Sequence, residues 1–377
     1  MGTFNGASPP AKFALVLVAA ALAGACNGPF TGATRSPSPA AASSSRQSLP
    51  SANPSGSPTP VQLTSAFAVL LSPLSTTSYT VSLVGIDGRV VASQQASTPG
   101  AVSCANAAAA VVPMPVSTSD TRVYFMDAQG VVRFLAPNGD TGRATTVPIG
   151  AAQRSMFAVS PDDQRIAVIV DDFTSSGATT RLYVEDLNGG GNHVDVFSES
   201  GAYTLWPTGW HGTNNLVVAK APACTQGGGP FSAGPQELHV VDPRTALRRF
   251  TVGGPTCVIA GPPSPAGAVC EDTAALAQAN VVSWTGTTSR SLTITGPTLA
   301  YLSPNGSQVA LVGSAGTVIQ ESSRQFAGMQ ACGWIDDTHV FSGGDTQLQP
   351  RVGDVTSGNV VPIAAQGDCA GRIPGGL

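Results

Sequence analysis

Two stretches of this chain spell the same hairpin. Phe157-Ala158-Val159-Ser160-Pro161-Asp162, closing on Ile166-Ala167-Val168, is matched by Ala300-Tyr301-Leu302-Ser303-Pro304-Asn305, closing on Val309-Ala310-Leu311. Each is an apolar strand, a Ser-Pro-Asp/Asn turn and a second apolar strand. Proline suits the second turn position because its φ is already fixed there. A second echo follows: Gly209-Trp210 leads to Leu216-Val217-Val218, and Gly333-Trp334 leads to Val340-Phe341. Alternating β-runs that end in Asp and a turn recur at Asp87, Asp127, Asp186, Asp242 and Asp354. With further turns after Val281-Val282-Ser283-Trp284 and around Gly316, the spacing averages about 45 residues, the length of one four-stranded propeller blade. A lone four-stranded sheet exposes two faces and two edges. Stacking such sheets around an axis buries the faces and leaves only short edges. The expected fold is therefore all-β, a single β-propeller of about seven four-stranded blades. Six is the alternative, because the intervals around Asp186 are long and the later ones short.

Composition agrees with this and removes one function class. The 377 residues include 43 glycines and 30 prolines, and short apolar runs alternate with Gly, Pro, Asn and Asp, as in an all-β chain. Only 11% of residues are charged and the net charge is −4. Nucleic acid is not an expected partner, since that role needs a dense cationic face. The tightest basic pair is Arg248-Arg249, which reads as a solvated strand end.

The N-terminal segment reads as an address. Lys12 precedes the apolar run Phe13–Ala25, which is shorter than the roughly 20 residues that span a bilayer and ends in small residues, as a signal peptide does. The following Cys26, in Leu22-Ala23-Gly24-Ala25-Cys26, resembles a bacterial lipobox, with Ala23 where that pattern prefers Leu. The alternative is an ordinary signal peptide with Cys26 incidental. Residues 27–60 are dominated by Ser, Pro, Ala and Gly, a composition that buries too little to order itself. The expected layout is a signal peptide over 1–25, a lipid-attachment cysteine and disordered tether over 26–60, and the propeller over 61–377.

Six cysteines remain: Cys104, Cys224, Cys257, Cys270, Cys332 and Cys369. None forms a CxxC motif or has a histidine at metal-ligand spacing, so no metal and no cofactor is expected. An even number in an exported chain points to disulfides. A hairpin centred between Pro263 and Ser264 would set Cys257 opposite Cys270. Cys332 and Cys369 both fall in the last repeat and form the second expected bridge. Cys104 and Cys224 would then lie about two blades apart, which keeps Cys224–Cys257 as a rival.

Ser160-Pro161-Asp162 with Ile166-Ala167-Val168, followed by Leu182-Tyr183-Val184-Glu185-Asp186, resembles the TolB-like, WD-repeat-like propellers of bacteria. Residues 156–190 carry the resemblance, with Asp163 standing where that family has Gly. It implies a propeller used for contacts in the cell envelope or as a non-catalytic companion domain.

Candidate chemistry is sparse. His193, His211, His239 and His339 are spread over separate repeats. Asp162-Asp163, Asp171-Asp172 and Asp336-Asp337 are acidic pairs that could converge for calcium binding or glycoside hydrolysis. No EF-hand loop, sialidase box or nucleophile elbow is present. Trp210 and Trp334 recur in phase and read as blade packing. Trp206 is out of phase and is the better candidate for a ligand-facing aromatic. Trp206, His211, Asp171 and Asp172 are the ligand-binding candidates, and no catalytic residue is assigned. The expected protein is a non-catalytic binding or scaffold propeller outside the cytoplasm, held to a membrane by a lipid anchor, with an envelope protein or glycan as partner. The competing class is a hydrolase or lyase with its site at one mouth of the central channel.

Overall fold

The computed structural model describes residues 65–73, 77–104, 109–174, 177–225, 237–275, 277–295 and 298–377. The proposed signal peptide, Cys26 and tether lie outside the described residues. The described chain is a seven-bladed β-propeller in which every blade is a four-stranded antiparallel sheet. Blade 2 runs from Val116–Thr118 to Thr141–Thr146, blade 3 from Gln153–Val159 to Val194–Gly201, and blade 4 from Tyr203–His211 to Arg248–Gly253. Blade 5 runs from Cys257–Ile259 to Thr288–Thr293, blade 6 from Leu299–Leu302 to Arg324–Ala327, and blade 7 from Gly333–Trp334 to Val360–Pro362. In blades 2 to 7 the first strand is innermost; the innermost strands of blades 2, 3 and 4 pack on one another in turn, as do those of blades 6 and 7, while blade 5 meets blade 6 through its second strand, Ala268–Asp272.

Blade 1 closes the ring. Its outer three strands are Phe67–Leu71, Ser78–Val84 and Val90–Ser97, and its innermost strand is the last of the chain, Asp368–Ile373. Phe67 pairs with Ile373 and Leu71 with Asp368. The Cys332–Cys369 bridge ties the entry to blade 7 to this closing strand, so it fastens the seam where the two ends of the ring meet.

Blade faces are covered on both sides, which is why strands such as Arg165–Phe173 are buried almost throughout. Tyr124, Met126 and Val132 of blade 2 pack on Phe157, Val159, Ile166 and Val168 of blade 3. Each such side chain taken fully from water stabilises the fold by about 1.5–3 kcal/mol.

The repeats seen in the sequence meet in space. In both Ser-Pro hairpins the serine hydroxyl accepts from the backbone N–H five residues on, Arg165 or Gln308, at 2.9 and 3.0 Å. It donates to Asp162 or Asn305 at 2.5 and 3.0 Å. The fourth turn residue has positive φ, Gly306 at 76° and Asp163 at 59°. Asp163 departs from glycine because its carboxylate accepts from Thr121 and Tyr124 of blade 2 at 2.5 and 2.8 Å. The indole N–H of Trp210 donates to the Ala158 carbonyl at 3.0 Å, and that of Trp334 to the Tyr301 carbonyl at 2.8 Å. Each Gly-Trp segment thus docks on the Ser-Pro hairpin of the preceding blade.

Three expectations need correction. Asp127 and Gly316 turn between the second and third strands of their blades, whereas Asp87, Asp186, Asp242 and Asp354 turn between the third and fourth. Aspartate and glycine suit any tight turn, so two members of the expected series were out of phase although the blade number holds. In the Cys257–Cys270 hairpin, Cys257 pairs with Asp272 and Cys270 with Ile259. The bridge forms, but diagonally, with Cα atoms 5.1 Å apart. The turn is Ser264-Pro265-Ala266-Gly267, closed by reciprocal backbone bonds between Ser264 and Gly267, a third Ser-Pro turn. Finally, Cys224 bonds to Cys104, not to the rival Cys257.

Candidate functional site

Residues 98–104 and 109–115 join blade 1 to blade 2 and form a strap that reaches blade 4. Ala110 pairs with Cys224 and Ala109 with Thr225 in a two-stranded sheet. Cys104 is bonded to Cys224. The Val111 N–H donates to the Ala223 carbonyl at 3.1 Å, and the Trp206 indole N–H donates to the Val111 carbonyl at 3.2 Å. The strap lies on the face that carries the loop between the second and third strands of blades 3 and 4.

Beneath it is a cavity of about 630 Å³, within the range of small-molecule sites. The innermost strands of three successive blades contribute Val116, Arg154–Phe157 and Pro207, and the strap contributes Val102, Val112 and Met114. Most of the wall is aliphatic, Pro or Met. Among the described residues Arg154 is the only charged one lining it.

Arg154 is 7% exposed. One terminal nitrogen donates to the Gly100 carbonyl. Its Nε is buried without an acceptor, and so is the hydroxyl of Thr98, another wall residue. Among the described residues the only other such side chain is Arg290, which has Glu321 2.8 Å away. No carboxylate lies within ion-pair distance of Arg154 among the described residues, and burial pushes its pKa down.

The nearest candidate counter-ion is engaged elsewhere. Asp171 is the direct cross-strand partner of Arg154 and is fully buried. Its two carboxylate oxygens accept from Thr180 at 2.6 Å and Thr204 at 2.5 Å. Thr204 belongs to blade 4, so the carboxylate joins two blades. Burial pushes its pKa up to about 6, against the lowering effect of the two hydroxyls.

The remaining candidates lie apart. Trp206 is buried in the core and fixes the strap, outside the cavity wall. Asp172 is half-exposed, accepts from Gln153 at 2.6 Å and faces Arg181 at 3.8 Å. His211 sits at the opposite mouth, donating from Nδ1 to Leu377 O at 2.7 Å with its ring 5.4 Å from Trp284. His193, His239 and His339 pair with Glu185, Glu237 and Asp336 of their own blades at 2.8, 2.8 and 2.9 Å. Among the described residues no three His, Cys, Asp or Glu side chains come together to hold a metal.

A second cleft of about 640 Å³ opens between blades 3 and 4. In it His239 bonds Glu237, Arg248 stands 4.0 Å from Glu237, Lys220 lies over the Tyr203 ring, and Glu199 is a further charged wall residue. Arg154 is thus the candidate residue that sequence reasoning passed over. Its signal was present, as a lone cation inside the apolar innermost strand Gln153–Val159.

No protein-family model matches the chain, and no curated protein does. Among solved structures, the chain is similar to BamB from Moraxella catarrhalis, at 15% identity and a TM-score of 0.36, covering 83% of this chain and 88% of that one. It is similar to AztD from Citrobacter koseri at 10% identity and a TM-score of 0.41, covering 82% and 97%. It is also similar to prolyl oligopeptidase B from Galerina marginata at 12% identity and a TM-score of 0.40, covering 78% of this chain and about half (47%) of that longer one.

Proposed function

We propose that this chain is a non-catalytic binding propeller working outside the cytoplasm, tethered to a membrane through Cys26 and residues 27–60. Its strapped face holds the partner, an envelope protein or glycan. The observation that carries this reading is the division of labour between histidines and cavity. Three of the four histidines are paired within their own blades and His211 is held by Leu377, while the strapped face has a largely apolar hollow fixed by a disulfide. Three disulfides suit an oxidising compartment.

The test is a photo-reactive residue placed at Met114 on the strap or at Leu247 in a turn of the other face, both exposed, in bacterial cells making the full chain. A discrete adduct from Met114 and none from Leu247 is expected. Adducts from Leu247 alone, or equally from both, overturn the assignment of the face. Cys26→Ser is expected to shift the protein out of the detergent phase, and unchanged partitioning removes the anchor.

A further inference from the structure

We infer that the cavity under the strap is a binding site for an apolar molecule or chain end bearing a single carboxylate, with Arg154 as its anchor. This deepens the reading of the strapped face as a binding surface. The inference starts from charge. A guanidinium shut away from water without a carboxylate is costly, because its hydration is lost and nothing replaces it. The local carboxylate that could answer it, Asp171, has both oxygens taken by threonine hydroxyls. The single acceptor observed is the neutral carbonyl of Gly100, and Nε has none.

The second observation is independent of charge. The hydroxyl of Thr98 in the same wall is also buried and unpartnered. Buried polar groups normally find partners, so each exception calls for a reason. Two exceptions in one wall share a single reason: an acceptor that enters the cavity. A carboxylate supplies two oxygens, and a guanidinium presents paired donors matched to them.

The rest of the wall sets the body of the ligand. Val102, Val112, Met114, Met126 and Phe157 offer dispersion contacts and no further charge. A second ionised group on the ligand would find no partner there, so dicarboxylates and phosphomonoesters fit less well. Methionines at three positions, Met114, Met126 and Met156, let the wall adapt to an unbranched or branched chain.

The test uses the full chain and isothermal titration calorimetry with decanoate, the uncharged decan-1-ol, and an N-acetylated Ala-Val-Phe peptide with a free or amidated C-terminus. Decanoate is expected to bind at least tenfold tighter than decan-1-ol, and Arg154→Met to erase that difference while leaving the alcohol unchanged. Preference for the free over the amidated peptide, with the same dependence on Arg154, also supports the site and identifies a chain terminus as its source. Ser103→Glu, at an exposed position on the rim, is a second variant that does not disturb the core. It is expected to weaken carboxylate binding severalfold, whereas Ser103→Gln does not. Equal binding of decanoate and decan-1-ol, no carboxylate binding in any arm, or an unchanged affinity in Arg154→Met overturns the inference. Loss of the Met114 adduct with decanoate binding intact would sink the partner reading alone, and the reverse result this one alone.

Discussion

Two arginines on innermost strands sit at opposite ends of the ring. Arg372, at the end of the closing strand, faces Asp337, Asp120 and Asp336, whose negative field opposes the lowering of its pKa by burial. It also donates to the Ile335 carbonyl at 3.4 Å. Around it the last residues of the chain cross toward blade 4, with Gly375 N–H on Ser119 O at 2.8 Å and Leu377 N–H on Trp210 O at 2.7 Å. Arg154, under the strap, has no such answer among the described residues. The same side chain serves the fold where carboxylates of blades 2 and 7 set up a negative field around it, none of them within ion-pair distance among the described residues. It waits for a ligand where they do not.

The strap is the first part of this contrast that can be broken. Cys104→Ser with Cys224→Ser opens a loop of 120 residues. A bridge of that span is worth about 3–5 kcal/mol, so the denaturant midpoint should fall accordingly. The cavity should lose its ligand, while the His211–Leu377 contact at the other mouth persists.

Asp171 gives the next largest effect and a definite sign. Its pKa in the folded protein is about 6, above its unfolded value, so the native state keeps a proton that the unfolded chain has released. Stability is therefore fully favoured below about pH 4, falls as pH rises toward 6, and is level beyond. The whole change is about 3 kcal/mol. Asp171→Asn should flatten this part of the pH profile of unfolding. If Asp171 instead neutralised Arg154, the substitution would destabilise the protein most at neutral pH.

The smallest effect tests the blade contacts that both faces share. Trp210→Phe and Trp334→Phe each remove one indole donor to a carbonyl of the preceding blade. Each should cost about 1 kcal/mol. Similar losses in the two variants would confirm that the contacts are equivalent, and a much larger loss in one would separate them.

Much of the ring was legible because its repeats are local. Ser160-Pro161 and Ser303-Pro304 are followed by Asp and Asn, whose side chains hold the serine hydroxyl, and this makes the turn visible in the chain. Ser264-Pro265 turns in the same way, but Ala266 follows and carries no such signal, so the register of that hairpin was misplaced by two residues. The strap was hidden for a different reason. Cys104 and Cys224 belong to loops two blades apart, and only the stretch from 98 to 115, longer than a simple blade connection, hinted that it reaches across. Arg154 was masked by counting cations as a surface property. Its meaning comes from neighbours on other strands, chiefly the two threonines that occupy Asp171.

On the proposal above, Arg154 serves a ligand and Arg372 serves the fold. Equilibrium unfolding of Arg154→Met and Arg372→Met, side by side without ligand, tests it most directly. Arg372→Met should lose about 2 kcal/mol, because the Ile335 carbonyl loses its donor and Asp120, Asp336 and Asp337 lose the cation whose charge offsets theirs. Arg154→Met should be as stable as the parent or up to about 1 kcal/mol more so, since a buried unpaired charge is removed. A loss in Arg154→Met equal to or greater than that in Arg372→Met would contradict the account.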